Sequence, residues 1–156
     1  MLSTCLKFDS PAQEAYLALW RTYDRLKAVE DRLFEQWRLT PQQYNVLRLL
    51  RAAAPQPVPT LQLVTRLVSK APDITRMLDR LEANGWIGRE RSTSDRRTVM
   101  VSITEEGLRL LESIQEPLDQ CHQEQLGHLE SEELETLCQL LRKVRAPHEP
   151  VGSSWS

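Results

Sequence analysis

A chain of 156 residues with 40% hydrophobic and 27% charged residues holds enough apolar material for one ordinary domain, or for a small domain with helical extensions. No stretch approaches the ~20 consecutive apolar residues of a membrane span, and residues 1–9 are too short and too polar for a secretory signal, so a cytoplasmic location is expected. The net charge of −2 argues against a nucleic-acid partner only until it is divided: residues 60–101 carry eight Lys/Arg against five Asp/Glu, net +3, and residues 102–146 carry four against ten, net −6.

Ser10-Pro11 followed by Gln13 reads as a helix cap, an N1 proline and a capping-box partner. Tyr16, Leu19, Tyr23, Leu26, Val29 and Leu33 then recur at three- and four-residue steps, widened by Trp20 and Trp37, so one face stays apolar for roughly 26 residues, about 39 Å of helix. One small lobe cannot cover so long a stripe, which favours packing against a second copy of the chain. Thr40-Pro41 with Gln43 repeats the same grammar and opens a shorter helix containing Tyr44, Leu47 and Leu50. Pro55, Pro57 and Pro59 enforce a loop, after which Thr60 is expected to cap a two-turn helix that stops near Ser69. The next helix runs from about Pro72, with Ile74, Met77, Leu78 and Leu81 as its buried stripe and Asn84-Gly85 as its left-handed stop.

Beyond Gly85 the period changes. Val99, Val101 and Ile103 alternate with Met100 and Ser102 as in a half-buried strand, and Trp86 to Arg91 forms its hairpin partner. The tip between them, Ser92 to Thr98, is polar and carries Arg96 and Arg97. Thr104 caps a further helix with Glu105 and Glu106 at its positive end, and Pro117 is expected to kink or interrupt it. Ser131 opens a last helix whose Leu134, Leu137, Leu141 and Val144 step like a coiled-coil seam, and residues 147–156 read as a disordered tail.

Two short helices followed at once by a hairpin with a basic tip is the order of a winged helix-turn-helix. The fold class expected is therefore mainly α with a small β-hairpin wing: a DNA-binding lobe over residues 39–103, and helical dimerisation regions over 10–38 and 104–146. Burying the stripe of the second helix leaves Lys70, Asp73, Thr75, Arg76, Asp79 and Arg80 outward or sideways, and these residue types can meet phosphates and base edges in a major groove. Arg96 and Arg97 are long, always charged and mounted where they can reach a neighbouring minor groove, with Asp95 beside them to hold an arginine in a fixed pose.

Five segments together resemble the MarR family of transcriptional regulators: Leu-Thr-Pro-Gln-Gln-Tyr at 39–44, Ile-Thr-Arg-Met-Leu-Asp-Arg-Leu-Glu at 74–82, Asn-Gly-Trp-Ile at 84–87, Asp-Arg-Arg at 95–97, and Ser-Ile-Thr-Glu-Glu-Gly at 102–107. The resemblance covers residues 10–145 and implies a two-fold dimer built from both ends of the chain, with residues 72–82 as the recognition helix. It also implies that Arg97 is the arginine inserted into the minor groove and Asp95 its acidic neighbour. Lys70-Ala71-Pro72-Asp73 departs from the small polar residues that many members carry there.

The partners this implies are double-stranded DNA, a second copy of the chain, and a small aromatic effector for which Trp20, Trp37 and Tyr44 are the candidate lining. Cofactor and metal are not expected: His122, His128 and His148 contain no i, i+4 pair. Nor is enzymatic activity, for want of a phosphate loop, a nucleophile elbow, or a carboxylate pair tied to a histidine. Two alternatives stand beside the regulator reading. One is a winged-helix module that docks a protein. The other is a redox-sensing regulator, which Cys5 suggests although it precedes the first helix, where the resemblance would place a sensing thiol; Cys121 and Cys138 read as small hydrophobes of the C-terminal helices.

Overall fold

The computed structural model describes residues 8–69 and 73–151. Six helices and three short strands follow in the order α1 (Pro11–Glu35), α2 (Pro41–Ala53), β1 (Val58–Pro59), α3 (Thr60–Thr65), α4 (Ile74–Ala83), β2 (Ile87–Arg91), β3 (Val99–Ile103), α5 (Glu105–Leu126) and α6 (Ser131–Arg145). This is the mainly helical winged helix-turn-helix expected from the sequence. None of the described helices is long and apolar enough to cross a membrane.

The caps explain where the helices begin. Ser10 Oγ accepts from the Gln13 amide at 3.1 Å, while the Gln13 side chain reaches one residue further back, to Asp9. At Thr40 the reciprocal box forms as expected: the Gln43 amide donates to Thr40 Oγ1 at 3.2 Å and the Thr40 amide to Gln43 Oε1 at 3.0 Å. Between these helices Arg38 adopts a left-handed φ of 53° and the Leu39 amide closes back on Phe34 O at 3.1 Å, the wrapped ending that usually employs glycine.

Three local expectations are corrected. Thr60 does not cap α3; Pro59 holds that position, and the Thr60 hydroxyl donates to Val99 O at 3.0 Å, tying the start of α3 to β3. The proline-rich loop is not wholly irregular, because Val58 and Pro59 pair with Val101 and Met100 as an edge strand, where a proline's missing N–H costs no ladder bond. The last helix opens at Ser131 as expected, with Glu130 as its cap through a box with Glu133. Pro117 does not interrupt α5, which runs unbroken from Glu105 to Leu126. Leu111, Ile114, Leu118 and Cys121 lie buried on one face of α5 on both sides of the proline, and that burial outweighs one lost hydrogen bond.

The sheet is antiparallel with order β1-β3-β2. The core gathers where the lobe meets the end of α1 and the first half of α5: Phe34, Val46, Leu47, Leu50, Leu63, Leu81, Val101, Leu111 and Ile114 are all but sealed from solvent. Only Leu33 and Phe34 are buried on α1, and no residue of α6 is. The outer part of α1 leaves Tyr16, Trp20 and Tyr23 more than 60% exposed, and α6 leaves Leu140 and Val144 more than 50% exposed. After α6 a 3-10 turn occupies Ala146–His148, within the stretch expected to be a tail.

Candidate nucleic-acid interface

The second helix of the helix-turn-helix is α4, and its two faces divide as the pattern requires. Leu78 and Leu81 are buried and Ile74 and Met77 pack against the core, while Asp73, Thr75, Arg76, Asp79 and Arg80 are exposed. The helix starts at Ile74 with Asp73 as its cap; Lys70 and Pro72, named from the sequence, lie outside the described residues. Asp73 Oδ1 accepts from the Arg76 amide at 3.0 Å and Asp73 Oδ2 from Arg76 Nε at 3.0 Å, so the outermost arginine is held against its own cap. Gly85, at φ 75°, stops the helix: its amide donates to Glu82 O at 2.8 Å and the Trp86 amide to Leu81 O at 3.1 Å.

The wing is β2, β3 and the polar turn between them. Its tip is built by hydrogen bonds rather than by apolar anchorage. The Ser92 amide donates to Thr98 O at 2.9 Å, the Ser94 and Asp95 amides converge on Ser92 Oγ at 3.3 Å each, and the Arg91 guanidinium donates to Arg96 O at 2.9 Å. Asp95 does not grip an arginine side chain, as its place in the sequence leads one to expect. Its Oδ1 accepts from the Arg97 backbone amide and its Oδ2 from the Thr98 hydroxyl, both at 3.0 Å. The carboxylate therefore shapes the turn, and among the described residues no acidic side chain forms an ion pair with Arg96 or Arg97. Both guanidinium groups project from an exposed tip.

Recognition helix and wing face one hollow. Thr75 of α4 and Arg97 of the wing both line a depression of about 220 Å³, together with Thr60, Leu78 and Val99. Arg89, on β2, also borders it. The sequence reading misses this residue: its guanidinium bonds Glu82 Oε2 through Nη2 at 2.5 Å and Nε at 3.0 Å, and Asp79 Oδ1 through Nη2 at 2.7 Å. Those bonds, Glu82 first, hold the guanidinium even more firmly protonated than usual. Only the sign pattern, two acids one helical turn apart and an arginine on the next strand, could have signalled it.

A second cavity, about 310 Å³, opens between α1, α2, α5 and the end of the α3 segment. Tyr44 lines it, as expected of an aromatic pocket residue, but Trp20 and Trp37 do not: Trp20 stands on the exposed face of α1, its ring 6.3 Å from Tyr16, and Trp37 packs against the lobe core. The walls are supplied instead by Tyr23, Glu30, Arg48, Ser69 and His122. Burial pushes the Tyr44 hydroxyl and the Glu30 carboxyl above their ordinary pKa values, with His122 opposing the shift at Glu30. Arg48 Nη2 donates to Asn45 Oδ1 at 3.1 Å and is left free of any carboxylate partner among the described residues. Of the thiols, Cys121 is buried and its pKa is pushed up by that burial, Cys138 is exposed, and Cys5 lies outside the described residues.

The sequence pattern of the MarR family matches residues 39–99, the span of the helix-turn-helix and most of the wing. A MarR transcription factor of Planctomyces limnophilus is 52% identical, with 87% of this chain and 98% of that one superposed at a TM-score of 0.70. A mutant of Escherichia coli MarR, solved in complex with operator DNA, is 31% identical over 86% of this chain and 99% of its own, at a TM-score of 0.71. The multiple antibiotic resistance protein MarR of Escherichia coli K12 is 31% identical across 89% of this chain and 99% of its own length. Agreement at that identity over nearly the whole of both chains, on the same fold, makes this protein a member of the MarR family of transcriptional regulators.

Proposed function

We propose that the chain is a homodimeric repressor that binds a pseudo-palindromic operator and is released from it by a small aromatic effector. The observation that carries the DNA reading is the meeting of two polar surfaces at one hollow: the outward face of α4, where Thr75, Arg76 and Arg80 mix with Asp73 and Asp79, and the cationic wing tip, with Arg96 and Arg97. A helix of this kind fits a major groove, and arginines on a hairpin reach the minor groove beside it. The operator complex of the Escherichia coli relative supports this reading. The exposed apolar faces of α1 and α6 support the dimer, since aromatic and aliphatic residues left so bare form the kind of patch that a second copy covers.

The effector is assigned to the cavity lined by Tyr44, Tyr23, Glu30, Arg48 and His122, which joins aromatic walls to a guanidinium and an imidazole and touches both the lobe and α1. BpsR of Bordetella bronchiseptica, 25% identical at a TM-score of 0.78, has DNA binding regulated by 6-hydroxynicotinic acid, an aromatic acid that such a lining would suit. The decisive experiment is fluorescence anisotropy with duplexes enriched by the protein from a random-sequence pool. Affinity should fall steeply with salt, because each neutralised phosphate contributes roughly −0.9 to the log–log slope. Failure to enrich any duplex from the pool would remove DNA as the partner and favour a docked protein.

A further inference from the structure

Arg89 pairs with Val101 across the middle of the β2–β3 ladder, yet its side chain turns to α4 and is only 23% exposed. Its fork spans Asp79 and Glu82, which stand three residues apart on one face of the recognition helix. Two residues further along β2, hence on the same face of the strand, Arg91 braces the tip through Arg96 O. The hairpin thus uses two arginines internally, one at its base and one at its tip, while Arg96 and Arg97 carry no acidic partner among the described residues.

We propose that Arg89 is a positioning residue that fastens the wing to the recognition helix and so sets the distance and angle at which Arg97 and the outer face of α4 meet one DNA duplex. Besides the clasp, the base of the hairpin meets α4 through the shared core of Leu78, Leu81, Ile87 and Val101 and through the turn at Asn84–Trp86, whose centre is a left-handed glycine; towards the tip the clasp is the polar tie between them. A guanidinium is suited to the task because its planar fork bonds two carboxylates at once, whereas an ammonium is a point charge without that geometry. Holding the two surfaces in register before contact spares the complex the entropy of ordering them on DNA. The bridge also neutralises one of two acidic groups that would otherwise face phosphate across the groove.

This inference rests on the wing acting as a DNA element, and a double-mutant cycle separates the two. The full-length dimer is titrated against the duplex it enriches from random DNA, as wild type, Arg89→Lys, Arg97→Ala and the double variant. Arg89→Lys keeps the charge and removes the fork, so affinity should fall about tenfold; in the Arg97→Ala background the same exchange should change affinity by less than about twofold, because the Arg97 contact that the clasp positions is already gone. Equal losses in both backgrounds, or no loss in either, overturn the clasp while leaving the wing a DNA element. If Arg97→Ala alone has no effect, the wing reading falls and the clasp with it. Should the Arg89 variants fail to fold, Glu82→Gln, at a partly exposed helix position, decides: it should show the same non-additive loss, and a gain in affinity in both backgrounds overturns the proposal.

Discussion

Thr104 donates its hydroxyl to Gly85 O at 2.6 Å and its amide to Trp86 O at 3.1 Å, fastening the first turn of α5 to the turn that ends the recognition helix. The helix that leads out of the lobe is thereby joined to the element expected to read DNA by groups four residues or fewer from either end. Gly107 permits the approach: a Cβ there would lie inside contact distance of the Trp86 carbonyl oxygen and 2.7 Å from Ile103 Cγ1.

Gly107→Ala should therefore destabilise the protein even though alanine is the better helix former. The propensity gain is about 1 kcal/mol, and the overpacking against a backbone carbonyl costs about 1–3 kcal/mol. Denaturant unfolding should show a lower midpoint, and operator affinity should drop as α5 shifts against α4. A midpoint at or above that of the wild type would mean that the junction yields easily.

Arg97→Ala and Arg76→Ala should fail in different ways. Loss of the wing arginine from both subunits should weaken binding and flatten the salt slope by about one to two units, with little change in preference among operator sequences except for A·T content in the flanks. Loss of Arg76 should cost about 1–3 kcal/mol per bidentate base contact and relax discrimination at one position in each half-site. Anisotropy at several salt concentrations with single-base variants measures both.

In solution the mass should be twice 18.1 kDa. Trp20→Glu on α1 or Leu140→Glu on α6 puts a charge into the exposed apolar faces and should yield monomer, or a chain unfolded at low concentration. Light scattering at micromolar concentration is the check, and a folded wild-type monomer would contradict the dimer.

Glu30 supplies a pH test. Burial raises its pKa, so the native state holds that proton more tightly than the unfolded chain does. Its favourable contribution is present below the ordinary carboxylate range and is lost as pH rises through the raised value, leaving a desolvated charge at neutral pH. Glu30→Gln should stabilise the protein at pH 7, and the advantage should shrink as pH falls into the carboxylate range. Thermal melts across that window show the sign directly.

Periodic elements are legible in the sequence because burial obeys a simple count. The stripe Ile74, Met77, Leu78 and Leu81, the box at Thr40 and Gln43, and the stop at Gly85 each need only neighbours within four residues. What escapes depends on distant partners. Thr60 looks like a cap until Val99, 39 residues on, supplies a carbonyl for its hydroxyl; Pro117 looks like a break until the core beneath α5 is known; and Arg89 looks like an ordinary strand residue until α4 brings two acids to it. The aromatic pocket is misread for the same reason, since Trp20 and Trp37 share the apolar stripe of α1 and its end with Tyr23, but only Tyr23 faces the hollow beside Tyr44.

The pairing of Arg76 with Asp73 gives an exposed guanidinium of α4 a resting partner at the cap of its own helix. A duplex that takes the arginine through its two Nη groups leaves that bond in place, and only one that approaches the Nε edge must displace the carboxylate. An ordinary phosphate offers a single charge much like the one given up, so the exchange on random DNA gains little. A guanine edge offers two acceptors in the plane of the fork, which Asp73, bonded through Nε alone, does not. On the proposed operator reading, the pair would compete with an edge-on phosphate at Nε and yield where a guanine edge rewards the trade.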